Sequence, residues 1–522
     1  VNLNGAQYLA DLFWLLPELW LTLAGFALLL VSPFVKSEAG RRGMAWSSIA
    51  VQVVALLLLI PYGLRDGVFG ASGPASPGAV FHLFGADAFP LVVVDGFSIV
   101  LKGTILIAGI LSTLMGIRFL EIEKLGRGEF HAMLLFAILG AMFLVSASDF
   151  ITLYVGLETM SLSVYLLVGW AKERRKSNEA ALKYFLLGSL ASGILLYGMS
   201  LVYGATRSTN FFGVAQAIAK AGAPGPLLLG GTLLIVVAVG FKMAAAPFHI
   251  WSPDAYEGAP TLITAFMSTA VKTAAFGLGL RLFLVAFGSS AIAKEWTLFF
   301  AILCALSMTV GNVVAVWQDN MKRLLAYSSI AHAGYALLGL VAIGAALSGN
   351  VPAERQADVL RWGQLSVVLY MIAYTVTNCG AFALVVMLRR KQIVGDQVAD
   401  FAGMARRAPW LAAAMTIFLL SLGGIPATAG FVGKWWLFAA IIDAGYGWLA
   451  LIAALNSAIS LFYYLRVVVK MYMTPPVEDE APYNLNPALA ATVLAAVAAV
   501  LVIGLFPNGV LALIEGATVL PH

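Results

Sequence analysis

Glu158, Lys242, Lys272 and Lys434 sit deep within apolar stretches of a 522-residue chain that is 61% apolar and 11% charged. An ionisable group at the centre of a bilayer costs about 2.5–3.5 kcal/mol on insertion scales. Acids and ammonium groups kept at that cost, and shielded from lipid, are the parts from which ion or proton paths are built. Glu158 lies near the middle of ASDFITLYVGLETMSLSVYLLVGW, too deep for its carboxylate to reach water. Lys242, in GFKMAAAPFHIWSPDAYEGAP, stands five residues before Pro247. A proline there removes one backbone hydrogen bond and clashes with the preceding turn. Non-helical backbone at membrane depth survives only where protein or a water-lined cavity satisfies it. The spacing therefore predicts water and free carbonyls beside Lys242. Lys272, central in TAFMSTAVKTAAFGLG, reaches neither surface, and its small neighbours Ser268, Thr269, Ala270 and Thr273 permit close helix packing.

Three further residues are less decided by position. Lys434, in SLGGIPATAGFVGKWWLF, belongs to an apolar run of 30 residues. Such a run is about 45 Å long if straight, against a hydrocarbon core of about 30 Å. Gly423, Gly424, Pro426, Gly430 and Gly433 predict a break in it. Lys434 is four residues from the run's assigned end, so depth alone fits a snorkelling lysine and a functional one equally. His332, in AYSSIAHAGYALLGL, fits either a satisfied core histidine or a relay. Lys183, a few residues inside its run, reads by itself as a snorkelling lysine.

The elements that must position these groups are membrane helices. Soluble domains average about 45–50% apolar and 25% charged residues, so this chain is an all-α polytopic membrane protein with little length left for a soluble domain. Apolar runs of spanning length occur near 13–33, 44–62, 95–117, 130–147, 149–170, 180–203, 227–250, 261–284, 296–316, 323–345, 364–388, 409–438, 447–471 and 487–506, fourteen in all. The first reads as a retained helix, since no basic segment precedes it. Loops after odd-numbered helices hold 19 Lys and Arg; loops after even-numbered helices hold six. That excess places the odd-numbered loops in the cytoplasm and both termini on the outer side. The Gly- and Pro-rich segment 61–94 becomes an outer loop and the acidic stretch 474–483 a cytoplasmic one. Residues 211–220 are read as a short amphipathic helix on the outer surface.

The single membrane domain, residues 1–522, divides into N-terminal helices over about 1–125, a first unit at 129–285, a second at 293–472 and a C-terminal helix at 485–522. Helices 4–8 and 9–13 form the two units. Lys242 and Lys434 fall on the fourth helix of each, both interrupted by proline. Glu158 and His332 fall on the second. Five helices per unit force opposite entry into the membrane, the inverted-repeat plan of many transporters.

Redox and nucleotide chemistry have no seat here. Cys304 and Cys379 lie in apolar runs and read as small core residues. No cysteine spacing suits an iron–sulfur cluster, and no P-loop or dinucleotide fingerprint occurs. No metal, cofactor-binding or redox-catalytic residue is assigned, and no nucleic-acid partner is expected beyond the lipid bilayer and other proteins.

The runs GLETMSLSVYLLVG, EAALKYFLLGSLASGILLYG, GFKMAAAPFHIWSPDAYEGAPTLITAFMS, AYSSIAHAGYALLG and FLLSLGGIPATAGFVGKWWLF together resemble the antiporter-like membrane subunits of proton-pumping NADH–quinone oxidoreductase, respiratory complex I. WSPDAYEGAP resembles the subunit N (mitochondrial subunit 2) branch. The resemblance covers roughly residues 90–475 and departs at Ala427, where a second proline after Pro426 is expected. It implies that Glu158, Lys183, Lys242, Lys272 and Lys434 match the family's glutamate and lysines on helices 5, 6, 7, 8 and 12, with His332 carried over less firmly. It implies a bacterial inner membrane, partner subunits M, L, K, J, A and H, and NADH, FMN, iron–sulfur clusters and quinone on partner subunits. It implies too that electron transfer from NADH to quinone drives proton pumping.

On that reading Glu158 close to Lys242 would hold the lysine protonated, and moving or neutralising the carboxylate would release its proton toward Lys272. Onward transfer through water and His332 would reach Lys434 and the outer side. Two alternatives use the same residues. One is a subunit of a cation/proton antiporter or membrane-bound hydrogenase. The other is a scaffold whose charges form static pairs.

Overall fold

The computed structural model describes residues 11–65, 81–83, 89–126, 128–389, 395–476 and 486–519. Among them are fourteen membrane-length segments in the order of the apolar runs. They are α1 (Leu16–Val31), α2 (Glu38–Arg65), α3 (Gly96–Ile122), α4 (Glu129–Ser146), α5 (Phe150–Val168), α6 (Arg175–Thr206) and α7 (Pro226–Met243). There follow α8 (Thr261–Ala286), α9 (Ser290–Ala315), α10 (Met321–Leu347), α11 (Ala353–Leu388), α12, α13 (Gly447–Met473) and α14 (Pro487–Leu505). Thirteen are long and apolar enough to cross a membrane. The exception, α12, is split into Pro409–Gly423 and Ala429–Asp443, as its glycines and proline predict. α7 ends at Met243, and the chain resumes helical form only at Trp251–Gly258.

Several helices outrun their apolar cores. α6 begins at Arg175 and α11 at Ala353, through turns such as AERQADVLRW that are polar yet rich in helix formers. A hydropathy reading does not register such turns. The short helix Phe211–Ala221 forms where expected, capped by Asn210, whose side chain accepts from the backbone of Phe212 and Gly213. In the stretch read as an outer loop, β1 (Phe81–Leu83) pairs antiparallel with β2 (Val92–Val94). Most of that loop and most of 474–483 lie outside the described residues.

The core is organised around α8, whose spanning window is 100% buried, with α10 at 94% and α11 at 89%; α1, at 28%, is peripheral. α4 and α5 approach closely because Gly140 faces Gly156. A Cβ on Gly140 would lie 2.6 Å from the Gly156 carbonyl oxygen and closer still to the Met160 nitrogen. This contact fixes the helix that carries Glu158.

Two backbone features recur at matching places in the units. Phe150 N donates to Thr209 O (2.9 Å) and Phe211 N to Ser148 O (2.9 Å), clamping the start of α5 to the chain after α6. Met321 N donates to Asp396 O (2.6 Å) and Val398 N to Asp319 O (2.8 Å), clamping the start of α10 to the chain after α11. The breaks match as well. Ala245 N bonds Gly240 O at 2.8 Å and Ile425 N bonds Leu420 O at 3.0 Å. Ala244 (φ 57°) and Gly424 (φ 85°) are both left-handed there. Both first halves thus end in the same hydrogen-bonded cap, which pairs helix-terminal carbonyls with following N–H groups.

These caps set a register. Lys242 lies level with Leu422, while Lys434 lies level with Asp254. The two lysines share a helix position at the level of the unit, but they stand on opposite sides of their breaks.

Candidate functional site

Glu158, Ser161 and Tyr165 lie three and seven residues apart on α5, hence on one helix face. Lys242, in the last turn before the α7 break, reaches that face. Its Nζ donates to Ser161 Oγ at 2.8 Å and approaches Tyr165 OH at 3.5 Å. Glu158 lies within electrostatic reach of Lys242 but forms no ion pair with it among the described residues. Its Oε1 is buried with no hydrogen-bond partner. The acid and the lysine thus meet at the same face of α5, the lysine through Ser161 and the acid by charge alone.

The free carbonyls expected beside Lys242 go elsewhere. Trp251 folds back across the break and donates from Nε1 to Phe241 O at 3.0 Å. Its ring stacks on Tyr184 (4.3 Å, 9°), which in turn meets Tyr165 edge-on at 4.7 Å. An aromatic column thus props the break against the face that holds Lys242.

Lys272 follows a π-helical turn, Met267–Val271, and a second π turn, Leu282–Ala286, closes α8. A π turn inserts one residue into the ladder and re-aims the side chains after it. Asn378 on α11 pins the first turn through Ser268 Oγ (2.6 Å). Lys272 Nζ donates to both the carbonyl and the hydroxyl of Ser329 at 2.5 Å and lies 5.8 Å from the centre of the Tyr374 ring.

One turn along α10 from Ser329, His332 has Lys272 and Lys434 both within electrostatic reach. Its Nδ1 meets Tyr370 OH at 2.5 Å and its Nε2 meets Tyr464 OH at 3.3 Å; Tyr464 OH also bonds Ser328 Oγ at 2.5 Å. Both nitrogens are engaged with hydroxyls that can give or take a proton.

Lys434 is the sixth residue of the second α12 half, which continues to Asp443, and is 4% exposed. That depth removes the snorkelling alternative. Its Nζ donates to Leu422 O (3.1 Å), Gly423 O (3.0 Å) and Ser457 Oγ (2.9 Å), and lies 4.6 Å above the Tyr335 ring.

Lys183 is elsewhere. Its side chain is 46% exposed and pairs with Glu179 and Asp254, each at 2.8 Å. Asp254 also receives Arg323 (2.9 Å), which bonds Glu257 (3.0 Å), and Glu257 receives Lys176 (2.8 Å). Lys322 Nζ donates to the carbonyls of Glu257 and Ala259 at 2.7 Å. The segment Trp251–Gly258 is thus held by cations of α6 on one side and α10 on the other.

The three central lysines share one property. Each is buried, and each is bonded to neutral oxygens only. Among the other buried charges, Glu18 pairs with Lys102 at 2.6 Å and Asp95 with Arg281 at 2.7 Å, while Lys322 is bonded to the carbonyls of Glu257 and Ala259. Those pairs escape a reading of the sequence because each member lies near a helix end, where a charge looks interfacial. Ser329, Tyr370 and Tyr464 escape it because serine and tyrosine are ordinary in apolar runs. Among the described residues no group of three or more His, Cys, Asp or Glu gathers to hold a metal.

The family model described as NADH:quinone oxidoreductase/Mrp antiporter, TM, matches residues 147–460. NADH-quinone oxidoreductase subunit N of Trichlorobacter lovleyi is 41% identical over 514 residues, covering 98% of each chain. Subunit N 1 of Sorangium cellulosum is 41% identical over 505 residues, 94% of this chain and 95% of the other. A chain in the structure of respiratory complex I from Thermus thermophilus with bound aureothin aligns with a TM-score of 0.75 and 32% identity. It covers 97% of this chain and 100% of that one. A chain of the Mrp complex from a Dietzia species aligns at 0.81 with 20% identity over 97% of each, a likeness of fold alone.

Proposed function

The chain belongs to the NADH-quinone oxidoreductase subunit N family, antiporter-like membrane subunits of bacterial respiratory complex I, and from that premise we propose that Glu158, Lys242, Lys272, His332 and Lys434 carry protons through it. The observation that carries this reading is the neutral coordination of Lys242, Lys272 and Lys434. A buried static pair loses several kcal/mol if one member is removed, about 3–5, because the other is left uncompensated. A lysine bonded only to hydroxyls and carbonyls gives up its proton without stranding a counter-charge. The same coordination speaks against the static scaffold.

In this proposal a proton on Lys242 leaves when the carboxylate of Glu158 is neutralised. It passes by way of the Ser329 hydroxyl to Lys272, then over His332 and the Tyr370 and Tyr464 hydroxyls to Lys434. Ser329 is suited to the first exchange because Tyr256, on the segment after the α7 break, faces it together with Tyr374. Lys183 acts at one remove, by holding Asp254 and so the position of that segment. NADH oxidation, flavin, iron–sulfur centres and quinone reduction belong to partner subunits, and both termini face the periplasm. The 41% identity to subunit N favours this assignment over a subunit of a cation/proton antiporter complex, whose aligned chain is only 20% identical.

A charge series at Glu158 tests it in the assembled enzyme. Glu158→Asp keeps an ionisable group on the shared face and retains most proton pumping, while Glu158→Gln and Glu158→Ala lose it. Equal, negligible effects of all three would contradict the proposal.

A further inference from the structure

Glu18 on α1 and Lys102 on α3 form an ion pair of 2.6 Å in which each side chain is 1% exposed. It lies outside the two five-helix units and has no part in the route from Lys242 to Lys434. Apart from that pairing, neither carboxylate oxygen of Glu18 has a hydrogen-bond partner. A buried pair offsets its desolvation only when further hydrogen bonds satisfy the remaining lone pairs. This one lacks them, so it is poorly built as a pin.

Further along α2 and α3, toward the cation-rich end of the helices, more polar groups are buried. Gln52 on α2 is wholly buried, and its Nε2 donates to Thr113 Oγ1 (3.0 Å) and Ser48 Oγ (3.2 Å), while its Oε1 is unpartnered. The hydroxyl of Ser112, next to Thr113 in the chain, is buried and unpartnered too. Beyond these, a cavity of about 240 Å³ opens between α2, α3 and the start of α4, lined by Arg41, Arg42, Glu121, Lys124 and His131 among others. The Nδ1 of His131 is again buried without a partner. Unsatisfied buried polar atoms in a roomy polar site are where ordered water sits. Along α3, Lys102 is 11 residues from Thr113, roughly 16 Å at the helical rise. On the other side of the pair, Tyr62 of α2 is within electrostatic reach of Glu18.

We infer that α1–α3 hold a second proton-exchange site, the Glu18–Lys102 pair, supplied with protons from the cytoplasmic end through the cavity at Arg41 and His131 and the polar step at Gln52. Within the pair, transfer breaks an N–H bond of the Lys102 ammonium and forms an O–H bond on Glu18. The result is a neutral amine and a neutral acid with no change in total charge. A proton arriving from the cavity then restores the ammonium.

Infrared difference spectra of the intact complex after a downward pH jump test this. The expected result is a carboxylic-acid band that is lost in Glu18→Gln and shifted in Glu18→Asp. Gln52→Leu slows its appearance about tenfold, the rate equivalent of roughly 1.4 kcal/mol on the barrier. A spectrum with no Glu18-dependent band over the whole pH range, in both Glu18 variants, overturns the site. A band that rises equally fast in Gln52→Leu overturns the track. Glu18→Leu/Lys102→Met, which replaces the pair by apolar groups of similar size, is expected to assemble normally. Failure to assemble would mark the pair as a structural pin and overturn the inference. Because the resting complex is measured, the outcome is independent of whether the Lys242 route carries protons.

Discussion

Lys434 hydrogen-bonds the carbonyl of Gly423, 11 residues earlier in its own broken helix. With Leu422 O and Ser457 Oγ it has three acceptors, and an ammonium has three protons to donate. Loss of one proton therefore leaves one acceptor without a donor. Ser457 is the partner able to reverse, since its hydroxyl can donate to the neutral amine while the two carbonyls cannot. Occupancy of Lys434 is thereby tied to the geometry of the α12 break. Lys242 has no such tie, because Trp251 has taken the carbonyl at its own break.

Ser457→Ala removes the reversible partner. A hydrogen bond to a charged group contributes about 1.5–3 kcal/mol, so proton pumping by the reconstituted complex should fall roughly 10- to 100-fold at the affected step. Lys434→Arg keeps the charge, but its guanidinium does not deprotonate in proteins, and it should be as inactive as Lys434→Ala while assembling better. Pumping by Lys434→Arg near wild type would separate Lys434 from proton transfer.

Ala427 has φ 67°, a left-handed conformation that costs a non-glycine residue about 1–2 kcal/mol. Proline, with φ fixed near −65°, does not fit there, which accounts for alanine where the family resemblance leads one to expect proline. Gly504 of α14 packs against this backbone so closely that a Cβ on it would clash with the Ala427 carbonyl oxygen. Ala427→Gly should raise the thermal stability of the purified complex slightly, and Ala427→Pro should lower it and displace α14. Thermal unfolding curves of the two variants check the sign of each effect.

Lys183 and Arg323 share Asp254, but their loss should not be equivalent. Lys183→Ala leaves Asp254 held by Arg323, and a half-exposed pair contributes only about 0–1 kcal/mol. Its effect on pumping should stay within about fivefold. Arg323→Gln releases the carboxylates of both Asp254 and Glu257 from α10, where Lys322 then holds the segment by its backbone alone, and should reduce pumping further. The two variants, assayed side by side for pumping at equal assembly, decide whether the segment Trp251–Gly258 must be held from both sides.

The apolar runs made the fourteen segments readable, and glycine with proline made both breaks readable. The ends of α6 and α11 were not, because polar helical turns carry no hydropathy signal. Depth in a run found Lys242 and Lys272 correctly as buried groups, and Glu158 as a half-buried one whose Oε1 is buried. It left Lys434 open, because the true end of the helix at Asp443 lies beyond the apolar core. The aim of each side chain depends on tertiary packing: the π turn before Lys272, the indole of Trp251 over Phe241, and the cap that puts Lys434 on the far side of its break. Lys183 shows the opposite limit: Glu179 is one turn away on its own helix, but Asp254 is 71 residues away and meets it only in the fold.

That Lys242 passes protons, and is not merely packed, is tested most directly by Lys242→Ala in the assembled complex. Proton uptake and quinone reduction are measured together after reconstitution into vesicles. Pumping is expected to be lost and quinone reduction to slow with it, at unchanged subunit content. Full pumping with normal coupled quinone reduction in that variant would contradict the role given to Lys242.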